Sequence, residues 1–386
     1  MDLSQIPSDC VFDGLRRLVH DVNAPIADEP TGLSHIVCGF SQLAGFSDDR
    51  VEYCGIEVAD LVEQYSFEGV VWLLLTGECP EDEQLADASA ILSESVIEQS
   101  AIDAIAGLPL RTRPLELLPL AISLLTYFDP TRPDRSPAAV RSRVWRLLGQ
   151  LPQLLTSAYA DPHVNGTGST DVAARSSFAS TLLHLLRCTE ESAPDTVAPA
   201  EEDAMNSVLI CHCLTPLRPA CFAARFFGST VEDIEESLRA AASLYVAQTR
   251  NDPWQWTGEL LRSFSTPLSA ESWLRQRGDQ LMPFGFEAAR TDPRAALLHD
   301  TSRTLLGCSD RIRLAACAER LQALMQSHQR HPTMDWHTAV ILTLLDIPSD
   351  RMSLVVAISR LVGWAAQALD QQASGVSLMP QLQYAL

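Results

Sequence analysis

From Ser353 to Gln372 the chain runs Leu354-Val355-Val356-Ala357-Ile358-Ser359-Arg360-Leu361-Val362-Gly363-Trp364 and on through Ala, Leu and Gln, with one cation and no proline. A stretch this long and this apolar satisfies its backbone best as a helix inside a core. Asp335–Leu345 has the same character. Residues 57–77 begin on the polar Glu57–Asp60, turn apolar and stop at Gly77 and Pro80, which predicts one buried helix with a glycine stop. Thr230-Val231-Glu232-Asp233 has the spacing of a capping box and predicts a helix through about Gln248. Alternating patterns are scarce, with a small hairpin expected from 35–40 and 51–53. The expected class is all-α, with no internal repeat.

Three stretches read as loops. Residues 1–31 are expected to be an N-terminal extension, rich in proline and acids and partly disordered. Asp129–Ser136 is a turn-rich break, and Thr189–Asp203, acidic and proline-rich, reads as a flexible insertion.

The 386 residues carry a formal net charge of −21, and all 28 cations are Arg. That balance argues against nucleic-acid and anionic-membrane partners. The longest unbroken apolar runs, such as Val70–Leu75, are too short to cross a bilayer. Met1–Gln5 lacks a basic region followed by an apolar one, so a cytoplasmic location is expected. The 10 cysteines have no disulfide-like spacing, and Cys211-His212-Cys213 has no second ligand pair. Reduced, buried thiols and no metal are expected.

Near the middle of the chain lies Ile210-Cys211-His212-Cys213-Leu214-Thr215-Pro216-Leu217-Arg218-Pro219-Ala220-Cys221-Phe222-Ala223-Ala224-Arg225. This resembles the L-H-A-D-H-E-L-N-A-S-T-F-A-A-R segment of the citrate synthase family. Four further segments resemble family motifs in the same order: Tyr53–Leu61, Phe67–Pro80, Thr291–Ala295 and Ala357–Trp364. Residues 108–130 are similar to another, with Arg113 where the family has His.

The resemblance implies a helical homodimer whose active site lies in a cleft between two domains. The large domain would be 32–219 plus 331–386, and the small one 220–330. It also implies a coenzyme A thioester as substrate, no permanently bound cofactor and a place in tricarboxylic acid metabolism.

That family condenses an acyl thioester with a 2-oxo acid. An aspartate removes the methyl proton, one histidine stabilises the enolate, and a second polarises the oxo group. Arginines and a further histidine hold carboxylates. Asp335, in Thr333-Met334-Asp335-Trp336, matches the base. Its plain structural reading is a helix N-cap.

Arg250 stands at the enolate histidine; Arg can stabilise an oxyanion but cannot return a proton. Asn251 and Asp252 replace the neighbouring glycines, and a carboxylate at Asp252 opposes an enolate. Phe286 stands at the second histidine and cannot donate a hydrogen bond, and Thr215 replaces the gripping histidine. Met379 and Gln381 replace C-terminal arginines.

Arg290 and Arg360 match carboxylate-binding arginines. Arg360, in an otherwise apolar helix, needs a partner, either a bound carboxylate or an internal salt bridge. His212 is expected beside the cleft or in the core, and His337 on a surface turn in preference to facing the cleft. No glycine-rich phosphate loop or Ser-His-Asp set appears.

Two functions remain open on these residues. One is a family member that no longer runs the standard reaction, serving as a pseudoenzyme, a small-carboxylate binder or a hetero-partner of an active paralogue. The other is a working synthase with an unusual residue set.

Overall fold

The computed structural model describes residues 37–47, 49–93, 96–108, 113–157, 177–187, 196–249, 252–277, 284–288, 292–307 and 309–379. The described residues from 41 to 379 belong to one compact unit. Among the described residues there are sixteen α-helices and five very short strands, so the protein is all-α. The helices are α1 Val58–Gln64, α2 Phe67–Thr76, α3 Asp82–Ser93, α4 Gln99–Ala106, α5 Leu118–Phe128, α6 Pro137–Ser157, α7 Phe178–Arg187 and α8 Pro199–His212. They continue as α9 Pro219–Gly228, α10 Ile234–Gln248, α11 Pro253–Ser263, α12 Pro267–Arg277, α13 Arg294–Thr304, α14 Ser309–Ser327, α15 Met334–Leu344 and α16 Met352–Ser374.

Helix α16 is the axis of the core. Most of its residues from Met352 to Ala368 are buried, so its length and hydropathy, sufficient to cross a membrane, are used inside the protein. Two glycines set how closely its neighbours approach. A Cβ on Gly363 would lie 1.8 Å from the Cys213 carbonyl oxygen, and one on Gly228 of α9 would lie 2.7 Å from that of Ala368. Buried Arg225 then locks α9 to α16 through Gln371 Oε1 at 3.0 Å and Asp370 at 2.8 Å.

Residues 57–77 are two helices, contrary to the single one expected. Ser66 caps α2 by accepting from the Gly69 amide at 3.3 Å. Asn206 of α8 fixes the break from both sides, accepting the Phe67 amide at 2.6 Å and donating to the Tyr65 carbonyl at 3.2 Å. Gly77 ends α2 at φ 80°, a left-handed conformation that favours glycine.

The cap of α10 is Asp233, which accepts the Glu235 amide at 3.2 Å. The expected Thr230 instead donates to the Phe226 and Phe227 carbonyls of the preceding helix. The Asp129–Ser136 turn is present, held by Arg146 on Asp129 at 2.8 Å and by Arg143 on the Thr131 and Asp134 carbonyls. Residues 199–203, expected to be flexible, open α8. Buried Glu201 there anchors Arg187 at 2.9 Å and also pairs with Arg311.

Strands β1 Ala44–Phe46, β2 Val51–Tyr53 and β3 Ile56–Glu57 form an antiparallel meander, with Ala44 opposite Tyr53 and Tyr53 opposite Ile56. The partner of 51–53 is therefore 44–46 and not the expected 35–40. Strands β4 Phe286–Glu287 and β5 His331–Pro332 form a two-residue ladder beside α15. The seven described cysteines are free thiols, but Cys79 is exposed, so the expectation of burial fails there. Residues 1–31 lie outside the described residues.

Candidate active site

Six helices bring polar groups to one region. Helix α8 ends on His212, which is fully buried, and Arg294 of α13 braces the turn that follows. The Arg294 guanidinium donates to the carbonyls of Cys211 and Leu214, both at 2.7 Å, to the Tyr53 hydroxyl at 3.0 Å and to Asp292 at 2.5 Å. His212 Nε2 meets Thr338 Oγ1 of α15 at 2.8 Å, and its Nδ1 has no partner. Burial, then the nearby charges of Arg360 and Arg294, push its pKa far down and keep the ring neutral.

Asp335 lies in the first turn of α15, but the cap residue is Thr333, which corrects the N-cap reading. The start of α15 is fixed by the 284–288 segment. Thr333 donates to the Gly285 carbonyl through its amide at 2.7 Å and its hydroxyl at 3.1 Å. Gly285 has φ 87°, and a Cβ there would meet the Trp336 amide nitrogen at 2.5 Å. Asp335 Oδ1 is buried and accepts no hydrogen bond. Burial raises the carboxyl's pKa; the charges of Arg360, Arg218 and Arg294 oppose the shift, and Glu287 adds to it.

Arg360 of α16 is half-buried among aromatic rings, and among the described residues it makes no ion pair. Its guanidinium carbon lies 5.2 Å from the Tyr245 ring centroid and 6.0 Å from that of Trp254. These contacts stand where an internal salt bridge was one of the two expectations. Arg360 Nε, Tyr245 Oη and Trp254 Nε1 are all buried without a partner. Tyr245 comes from α10 and Trp254 from α11, and each is 3% exposed. Burial pushes the Tyr245 hydroxyl's pKa up, with Arg360 opposing and Asp335 adding to the rise.

Among the described residues, the substituted positions Phe286, Thr215 and Asp252 are apolar or engaged within the protein. Phe286 packs on Trp336 with centroids 4.7 Å apart. Thr215 is buried, with its hydroxyl 3.5 Å from Cys221 Sγ of α9. Asp252 is a structural cap. It accepts the Gln255 amide at 3.0 Å and the Ser353 hydroxyl at 2.7 Å.

His337, expected on a surface turn, is buried with its ring 5.0 Å from that of His299, because α13 and α14 pack against α15 there. Burial, then His299, lower its pKa to about 3. Arg250 and Arg290 lie outside the described residues, and so does Gln381; Met379 is exposed.

The structure therefore places Asp335 and His212 each within electrostatic reach of Arg360 and Arg294. It adds Tyr245, Trp254 and Arg294, which sequence reasoning missed. Arg294 had a signal, since it lies within the Thr291–Ala295 motif. Tyr245 and Trp254 had none beyond lying on either side of the 247–253 segment.

The family model described as citrate synthase, C-terminal domain, matches residues 32–380. The chain is similar to Citrate synthase 2 of Bacillus subtilis (strain 168), 26% identical over 362 residues that span 92% of this chain and 95% of that protein. It is also similar to 2-methylcitrate synthase 2 of Corynebacterium glutamicum, 24% identical over 94% of this chain and 96% of that protein. Among solved structures, citrate synthase from Pyrobaculum aerophilum superposes with a TM-score of 0.75 at 19% identity, covering 92% of this chain and 94% of that one. The Thermoplasma acidophilum citrate synthase in ternary complex with carboxymethyl coenzyme A and oxaloacetate gives 0.74 at 16% identity, covering 93% and 96%. At these identities the solved structures establish the fold.

Proposed function

The chain belongs to the citrate synthase family, and from that premise we propose that it binds a small carboxylate at Arg360 without sustaining ordinary citrate formation. The observation that carries this reading is the set of buried, unpartnered polar atoms on Asp335, Arg360, His212, Tyr245 and Trp254, beside a Phe286 that can donate nothing. An unmade buried hydrogen bond costs about 1–3 kcal/mol. Several in one place fit a site completed by a ligand. The Arg360 guanidinium lies beside two aromatic rings and, among the described residues, makes no ion pair, so it can donate to a bound carboxylate.

Condensation needs more than binding. A base must take the methyl proton of the acyl thioester, the electron pair then moving to the thioester oxygen. Donors must hold that oxygen and polarise the oxo group that accepts the new carbon–carbon bond. Asp335 supplies the base. Losing one oxyanion donor costs about 10²–10³ in rate and losing a general acid about 10²–10⁴. With Phe286 and Thr215 at two donor positions, the standard reaction falls far below an ordinary synthase.

On this reading the protein is a pseudoenzyme or the partner subunit of an active paralogue. We further assign it a cytoplasmic location, the domain division 32–219 plus 331–386 against 220–330, and homodimer formation. Leu120, Tyr127 and Phe128, exposed on α5, support association of two copies.

One observation favours a second reading, a working condensing enzyme. An unpartnered carboxylate with a raised pKa is the form a carbon-acid base takes. Arg250, at the enolate histidine's position, would then be the electrophile for an acyl-coenzyme A and a 2-oxo acid. Thiol release from acetyl-coenzyme A with oxaloacetate separates the two. Turnover within tenfold of 10 s⁻¹, a roughly typical enzyme rate, and abolished in Asp335→Asn, would refute the first reading. No release together with a pyruvate-induced rise in melting temperature, lost in Arg360→Ala, is the expected result.

A further inference from the structure

We infer that the Arg360 cleft selects a monocarboxylate bearing an aromatic or bulky apolar group over a small dicarboxylate. This rests on the carboxylate-binding reading and names its ligand class. The first argument is a count of donors and acceptors. Arg360 Nε–H, Tyr245 O–H and Trp254 Nε1–H are three buried donors with no acceptor in the protein. Arg360 lies over both of those rings, so the three donors belong to one site. One carboxylate, with its two acceptor oxygens, answers them.

The second argument is charge. A second carboxylate needs a second cation inside the site. Among the described residues the other buried guanidinium within reach, that of Arg294, is already engaged with Asp292, Tyr53 and two backbone carbonyls. The groups acting on Asp335 include the like charge of Glu287, and Asp252 lies close enough to act on Tyr245. A second anion placed there meets repulsion that Arg218, exposed to solvent, screens only weakly.

The third argument is the wall. Trp254 packs edge-on against Phe284, centroids 4.9 Å apart, and Phe286 packs on Trp336 at 4.7 Å. Gly285, pinned between them against α15, holds both phenylalanines in place. A site that pairs one cation with several aromatic rings favours a ligand with one charged end and one apolar body.

The experiment is calorimetric titration of the full chain with oxaloacetate, pyruvate and phenylpyruvate, three 2-oxo acids that differ only in the group on the oxo carbon's far side. We expect phenylpyruvate to bind at least tenfold more tightly than either of the others. Arg360→Ala should abolish its binding. Phe284→Ala should weaken phenylpyruvate while leaving pyruvate within a factor of two. Circular dichroism identifies any variant that fails to fold, and Arg360→Met then replaces Arg360→Ala. Tighter binding of oxaloacetate or pyruvate, lost in Arg360→Ala, overturns this inference and leaves carboxylate binding standing. Phenylpyruvate binding that survives Arg360→Ala overturns it as well. Binding of none of the three overturns both.

Discussion

Gly363→Ala tests the packing on which the site depends. Gly363 lies one turn beyond Arg360 on α16, where the helix passes against the turn that follows His212. The added methyl would sit 1.8 Å from the Cys213 carbonyl oxygen and 3.0 Å from its carbon, against an ordinary contact of 3.4–4 Å. Helix and turn must therefore separate by about 1.6 Å, the difference between 3.4 and 1.8 Å. Neither side yields easily, because Leu361, Val362 and Trp364 are buried and Arg294 clamps the turn through two carbonyls.

Overpacking in a core costs roughly 1–3 kcal/mol, and a backbone obstacle puts this case at or above the top of that range, about 3 kcal/mol. At about 2 °C per kcal/mol for a large domain, the melting temperature should fall by at least about 5 °C. The shift also carries Arg360 away from His212, so the pyruvate-induced stabilisation should shrink in the same variant. Differential scanning fluorimetry with and without pyruvate reads both effects. A melting temperature within 1 °C of wild type would show that the close approach is not made and would refute the argument.

Three further outcomes are expected. His337 is buried with its pKa lowered from 6.5 to about 3, so its stabilising effect is complete above pH 6.5 and is lost as pH falls, the unfolded chain binding the proton first. Between pH 7 and pH 5 this removes about 2 kcal/mol, and denaturant titration of His337→Leu should show a correspondingly flatter acid limb. Asp335 has the opposite sign: its raised pKa means that ionisation weakens the fold as pH rises past the ordinary carboxylate range. Asp335→Asn should therefore melt higher than wild type at pH 7.5, and an unchanged or lower melting temperature would count against the unpartnered carboxylate. Asn206→Ala strands the Phe67 amide and the Tyr65 carbonyl, and two such losses cost about 2–6 kcal/mol by chemical denaturation.

What was legible in the sequence followed from local pattern. Helices α15 and α16 show as long apolar stretches, and Arg360 stands out because a lone cation in such a stretch needs a partner. Asp335 was found through the motif around it. What failed depended on residues far away in the chain. The break at Ser66 is fixed by Asn206, on a helix some 140 positions further on, so no window around residue 66 contains its cause.

His337 was misplaced because a first-turn position is exposed only if nothing packs over it, and here α13 and α14 do. Tyr245 and Trp254 looked like ordinary core aromatics; only the convergence of α10, α11 and α16 sets their polar edges beside Arg360. Asp252 looked like an obstacle to an anion, yet Ser353 and the Gln255 amide occupy it.

The most direct measurement is a crystal structure of the chain grown with whichever 2-oxo acid binds most tightly. The account predicts its carboxylate on the edge of Arg360, within hydrogen-bond reach of Nε, with Trp254 and Tyr245 donating to the same ligand. A ligand seated elsewhere, or Arg360 turned into an ion pair with Asp335 and the cleft filled by side chains, would contradict it.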